Sequence, residues 1–119
     1  MPLHKTFGVD LGTSTVKIYS QDQDTILTEK NMIAIRNQKQ ILAVGNEAYG
    51  IFEKNPSNVS VISPMAYGKI ADVNHTEMVL QALLDKINAG SVFSNSLYLA
   101  VPSDLSEIEQ RAYYTIGNS

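Results

Sequence analysis

The chain contains no cysteine, which removes disulfide frameworks, iron–sulfur clusters and thiolate zinc sites from consideration. Its two histidines, His4 and His75, stand far apart and belong to no metal-binding motif. Glycine (7) and proline (4) are too scarce for collagen-like or low-complexity sequence. Long apolar runs are missing too: Ile41 to Val44 and Leu97 to Val101 are far shorter than the ~20 residues of a spanning helix. Met1-Pro2-Leu3-His4-Lys5-Thr6 has no basic stretch leading into an apolar one, so no signal peptide is expected. Positive charge is not in excess, since nine Lys and Arg against twelve Asp and Glu give a net −3. No bulk field draws the chain to nucleic acid, which is not an expected partner.

What is present is a globular composition, 44% hydrophobic and 18% charged, in 119 residues. That length suits one compact domain burying about 60–70% of its unfolded surface. Phe7, Val9 and Leu11 alternate with Gly8, Asp10 and Gly12, and alternation resumes at Val16 and Ile18 after Thr13-Ser14-Thr15. Gln21-Asp22-Gln23-Asp24 then turns the chain into a third strand, Thr25 to Thr28, completing a meander. Met32–Ile35 and Gln40–Val44 read as a hairpin about Arg36–Lys39, Glu47–Lys54 as a short helix, and Val59–Ile62 as a strand.

Val79, Leu80, Leu83, Leu84 and Ile87 recur at helical spacing as far as Gly90, and Asn74 with Glu77 reads as the capping box that opens this helix. Leu97–Val101 reads as a buried strand ended by Pro102, and Ser106 with Glu109 as the cap of a further helix. No repeat, heptad run or charge block occurs. Strands, helix, strand, helix predict an α/β layered fold, and its last elements leave a sheet edge and a helix face that await more chain.

The turn Asp10-Leu11-Gly12-Thr13-Ser14-Thr15, with Lys17 on the next strand, gathers the groups a nucleotide phosphate needs. Gly12 permits close backbone approach, and the N–H groups of Thr13, Ser14 and Thr15 can serve an anion. Asp10 suits a hydrated Mg²⁺, and Lys17 adds a point charge. Taken alone the segment is equally an ordinary hairpin turn, and neither a P-loop nor a GxGxxG fingerprint occurs.

Phe7-Gly8-Val9-Asp10-Leu11-Gly12-Thr13-Ser14 resembles the first phosphate loop of the actin, heat-shock chaperone and sugar-kinase ATPase superfamily. Met32–Arg36, Ile41–Ala48, Pro64–Asp72, Val101-Pro102-Ser103 and Glu107–Ala112 are similar to successive blocks of bacterial MreB, the rod shape-determining family. The resemblance covers nearly all residues and corresponds to the N-terminal portion of that family. It implies an actin-like, ribonuclease H-like α/β fold, with 1–31 and 71–119 in a first large subdomain and 32–70 in a small inserted α+β subdomain. It also implies a cytoplasmic ATPase that binds ATP and Mg²⁺, forms filaments with copies of itself at the inner face of the plasma membrane, and works with cell-wall synthesis and morphogenesis proteins.

Residue by residue, the resemblance puts Asp10 on the Mg²⁺-associated acid and Gly12, Thr13, Ser14 and Thr15 in the first phosphate loop. Lys17 departs from the usual apolar residue of MreB and resembles the phosphate-contacting lysine of actin. The family's second phosphate loop, adenosine motif and water-activating acid lie beyond Ser119, so no catalytic residue is assigned and hydrolysis by residues 1–119 alone is not expected. Val92 and Phe93, in Ser91–Asn95, fall on the apolar loop that contacts the membrane in the family, although Phe93 also suits a place under its loop as core. Tyr49, Phe52, Tyr67, Tyr98, Tyr113 and Tyr114 read as core, without the basic interleaving of a base-stacking surface. His75 reads as a helix-start residue and Asp72 as a strand end. Two other readings remain open at this level: a non-catalytic actin-like module that binds or caps filaments, and a chaperone or sugar-kinase type ATPase relative.

Overall fold

The computed structural model describes residues 6–54, 56–87, 96–100 and 111. In chain order the elements are β1 (Thr6–Leu11), β2 (Thr15–Ser20), β3 (Thr25–Lys30), β4 (Ile33–Arg36), β5 (Gln40–Val44), α1 (Asn46–Lys54), β6 (Val59–Ile62), β7 (Met65–Ala66), β8 (Lys69–Ile70), α2 (Val73–Lys86) and β9 (Ser96–Leu99). The expected meander forms: β1, β2 and β3 pair antiparallel in sequence, and β9 returns parallel to β1, giving the order β3-β2-β1-β9.

Alternation decides which side of this sheet is covered. Phe7, Val9 and Leu11 of β1 and Val16 and Ile18 of β2 are buried, in one cluster with Val79, Leu80, Leu83 and Leu84 of α2. Each such side chain contributes roughly 1.5–3 kcal/mol on burial, so this interface dominates the packing of the main sheet. The opposite side carries Gly8, Asp10, Lys17, Tyr19, Ile26 and Tyr98.

A second sheet, in the order β5-β4-β6, has β4 at its centre with Ile33, Ala34 and Ile35 all buried. Helix α1 packs on its strands, placing Ala48 in full burial. The β4–β5 turn holds Asn37 and Gln38 at φ of 51° and 61°, a left-handed pair whose twist suits a tight hairpin. Strands β7 and β8 form a small hairpin whose turn residues, Tyr67 and Gly68, are also left-handed, at 53° and 76°.

A buried carboxylate ties these parts together. Glu29, near the end of β3, accepts from the backbone N–H of Asn46 at 2.9 Å and from Lys86 Nζ at 2.9 and 3.0 Å. Asn46 Oδ1 in turn accepts from the N–H of Lys30 at 3.0 Å. The main sheet, the start of α1 and the end of α2 thus meet at one side chain. Gly45, at φ +70°, leaves room for it, because a Cβ there would run into Glu29 Oε1.

Two expectations are corrected. The cap of α2 is Asp72, not Asn74: Asp72 Oδ1 accepts from the N–H of His75 at 3.0 Å, and Asp72 O accepts from Thr76 Oγ1 at 2.7 Å. The chain leaves β8 only two residues earlier, so the helix starts as soon as an N-cap side chain is available, and Asp72 precedes Asn74. His75 Nδ1 lies 3.0 Å from Asp72 Oδ2, off the line of a hydrogen bond.

Of the six aromatic residues expected in the core, the four that fall among the described residues are not buried. Tyr67 is 97% exposed at its turn, Tyr98 68% on the open sheet face and Phe52 54% on the outer side of α1. Tyr49 is half-buried, stacked on Phe52 at 6.2 Å between centroids, with the Lys30 ammonium 4.9 Å from its ring centre. Tyr113, Tyr114 and the Ser106–Glu109 cap lie outside the described residues.

Candidate functional site

The β1–β2 turn is built around a close backbone approach. Gly12 N–H donates to Thr15 O at 2.8 Å, and a Cβ on Gly12 would stand 2.8 Å from that same carbonyl oxygen. Any larger residue must therefore open the turn. Three successive carbonyls of this turn are held by donors distant in sequence. Asn31 Nδ2 donates to Gly12 O at 2.8 Å, Ser63 Oγ to Thr13 O at 2.9 Å, and Asn31 N–H to Ser14 O at 2.9 Å. Thr13 Oγ1 accepts from Gly68 N–H at 2.7 Å.

The N–H groups of Thr13 and Ser14 take no partner among the described residues. Such a tip offers donors to an anion without breaking any bond of the fold.

Asp10 and Lys17 are register partners across β1 and β2, both exposed on the open sheet face, and no ion pair closes between them. They border an open depression of about 470 Å³ together with Tyr19, Ile26 and Tyr98, over the bare backbone of Gly8. The structure therefore brings Asp10 and Lys17 together on the sheet face. Gly12, Thr13, Ser14 and Thr15 sit at the end of the same hairpin, outside the depression.

Tyr19 OH donates to Asp24 Oδ1 at 2.9 Å. That hydrogen bond, and then the negative charge of Asp24, push the phenol above its ordinary 10.0. Among the described residues no group of three or more His, Asp and Glu is placed to hold a metal ion. A cation at Asp10 must keep most of its water, as Mg²⁺ commonly does.

Val92 and Phe93 lie outside the described residues. Among those residues no helix is long and apolar enough to cross a membrane. Asn31, Ser63 and Gly68, which shape the turn, have no signature in the local sequence. Asn31 sits between two strands and Ser63 in the segment after β6, 19 and 50 positions from the carbonyls they hold.

The chain is similar to known proteins. The model of the family described as MreB/Mbl protein matches residues 4–119. The cell shape-determining protein Mbl of Bacillus cereus (strain ATCC 10987 / NRS 248) is 34% identical over 110 residues, 91% of this chain and 33% of that protein. The cell shape-determining protein MreB of Escherichia coli (strain K12) is 33% identical over 111 residues, 87% of this chain and 32% of its own length. The chain thus spans about a third of the curated relatives it matches.

Among solved structures, MreB 5 of Spiroplasma citri bound to AMPPNP superposes with a TM-score of 0.82 at 24% identity, covering 96% of this chain and 35% of that one. A MamK double helical filament gives 0.74 at 18% identity, covering 96% and 37%. These likenesses show that the fold, a mixed sheet with two helices and small antiparallel sheets, is shared with those structures. With a family model matched from residue 4 to residue 119, this chain belongs to the MreB/Mbl family of cell shape-determining proteins.

Proposed function

We propose that residues 1–119 supply one wall of a Mg-ATP site in an actin-like protein that forms filaments at the inner face of the plasma membrane and guides cell-wall synthesis. The observation that carries this reading is the β1–β2 turn. Its carbonyls are all engaged, two of its N–H groups are open, and a carboxylate and an ammonium face each other on the adjoining strands. This donor set fits a magnesium-bound polyphosphate. With a nucleotide bound, the N–H groups of Thr13 and Ser14 and the hydroxyls of Thr13, Ser14 and Thr15 would hold phosphate oxygens, Gly12 would let them approach the backbone, Lys17 would add charge, and Asp10 would hold the metal through water. The nucleotide supplies the phosphoryl group whose transfer drives assembly cycles. The AMPPNP and ADP carried by the Spiroplasma citri MreB5 structures support the same ligand class here.

In this reading 1–31 and 71–119 form the large subdomain, and 32–70 the small one inserted in it. Phosphoryl transfer needs the nucleotide positioned from both sides, and residues 1–119 hold one side. Calorimetry of the 119-residue chain with Mg-ATP is therefore expected to show a Kd above about 1 mM, no more than about 4 kcal/mol of binding. Submillimolar binding overturns the half-site reading. Lys17→Met weakens whatever binding is measured.

A further inference from the structure

We infer that Asn31 and Ser63 are positioning residues that orient the peptide planes of the β1–β2 turn, so that the N–H groups of Thr13 and Ser14 face an incoming phosphate oxygen. This rests on the nucleotide reading above and adds to it two residues that lie outside the turn.

The argument starts from the peptide group. In a trans peptide the carbonyl and the following N–H point in opposite directions, so whatever fixes the carbonyl of one residue also fixes the N–H of the next. The peptide bonds of the described residues are all trans. Holding Gly12 O therefore orients the N–H of Thr13, and holding Thr13 O orients that of Ser14. The first is held by Asn31 Nδ2 at 2.8 Å and the second by Ser63 Oγ at 2.9 Å. Asn31 also holds the next carbonyl, Ser14 O, through its own N–H at 2.9 Å. Both oriented N–H groups lack a partner among the described residues, so each points away from its clamp with its hydrogen free. Without the clamps a turn this short can flip a peptide and present a carbonyl oxygen, which repels phosphate.

Two further observations separate positioning from plain packing. Asn31 is 1% exposed, and among the described residues its side-chain Oδ1 has no hydrogen-bond partner, an arrangement that costs stability. An apolar residue fills such a place at less cost, and the one bond the Asn31 side chain makes among the described residues goes to the turn. Ser63 has its hydroxyl pre-set: Oγ accepts from Met65 N–H at 3.3 Å, which leaves its hydrogen for Thr13 O. Thr13 behaves likewise. Its Oγ1 accepts from Gly68 N–H, so its single hydroxyl hydrogen remains as a third donor beside the two N–H groups.

The test is an amide-resolved nuclear magnetic resonance titration of the 119-residue chain with Mg-ADP and, separately, with inorganic pyrophosphate. It follows the Thr13 and Ser14 amide protons, and millimolar binding is within its range. The expected result is a downfield shift of both in the parent chain. Asn31→Ala and Ser63→Ala each bind about five-fold more weakly, the equivalent of one lost hydrogen bond, with smaller shifts at those two amides. Ser63→Thr, which keeps the hydroxyl, restores both. Lys17→Met weakens binding while leaving the saturating Thr13 and Ser14 shifts in place, which separates charge from orientation. If Asn31→Ala does not fold, the Ser63→Ala and Ser63→Thr pair decides. Parent-like affinity and shifts in the Ala variants overturn the positioning role and leave the nucleotide reading standing. No shift at either amide in the parent chain at the highest soluble ligand concentration overturns both.

Discussion

Gly45→Ala tests the junction at Glu29 most directly. Two costs add. An alanine at φ +70° pays roughly 1–2 kcal/mol for the left-handed region. Its Cβ also displaces the Glu29 carboxylate, whose Oε1 accepts from Asn46 N–H and Lys86 Nζ, both at 2.9 Å. One lost charge-assisted hydrogen bond costs about 1.5–3 kcal/mol. The stiffer unfolded chain returns ~0.4–1 kcal/mol. The net expectation is about 2–4 kcal/mol of lost stability, read from urea unfolding followed by circular dichroism, with coincident fluorescence confirming one transition. Glu29→Ala provides the second arm of a double-mutant cycle. With the carboxylate gone, Gly45→Ala retains only its backbone cost, so the two substitutions couple by about 1.5–3 kcal/mol. Simple additivity, or a Gly45→Ala cost below ~0.5 kcal/mol, refutes the steric argument.

The cap of α2 gives a clean contrast: Asp72→Ala is expected to lower stability by about 1 kcal/mol and Asn74→Ala by less than ~0.5, both by denaturant titration, and the reverse order returns the cap to Asn74. The Tyr19 phenol, raised above 10.0 by Asp24, supports the fold in full below pH 10, and that support disappears as pH rises through the folded value. Carbon-13 titration of the tyrosine ring is expected to show Tyr19 dropping back in Asp24→Asn, and an unmoved midpoint refutes the assignment. Val92 and Phe93, as proposed membrane contacts, offer roughly 3–6 kcal/mol when fully inserted, which filament multivalency amplifies. Liposome pelleting of a filament-forming protein that contains this chain is expected to fall with Val92→Ser and Phe93→Ser together, and unchanged pelleting removes the proposal.

The amino-acid sequence by itself determined the elements whose cause is local. Alternation through Phe7, Val9, Leu11, Val16 and Ile18 made the first hairpin legible, because a strand buries every second residue. The steps of three and four from Val79 to Leu84 did the same for α2, and family kinship was readable in the succession of motifs from Phe7 onward. Tertiary structure alone decided how the turn at Gly12–Thr15 is held. Asn31 and Ser63 hold it over separations of 19 and 50 residues, as Lys86 holds Glu29 over 57, and such polar contacts leave no periodic trace in a sequence. Exposure of Tyr67, Tyr98 and Phe52 was likewise settled by where the chain turns and which sheet face is covered, since an aromatic side chain alone does not say which side of a strand or helix meets the core. Short-range order follows from side-chain periodicity, whereas the site depends on distant segments brought together by a core already formed.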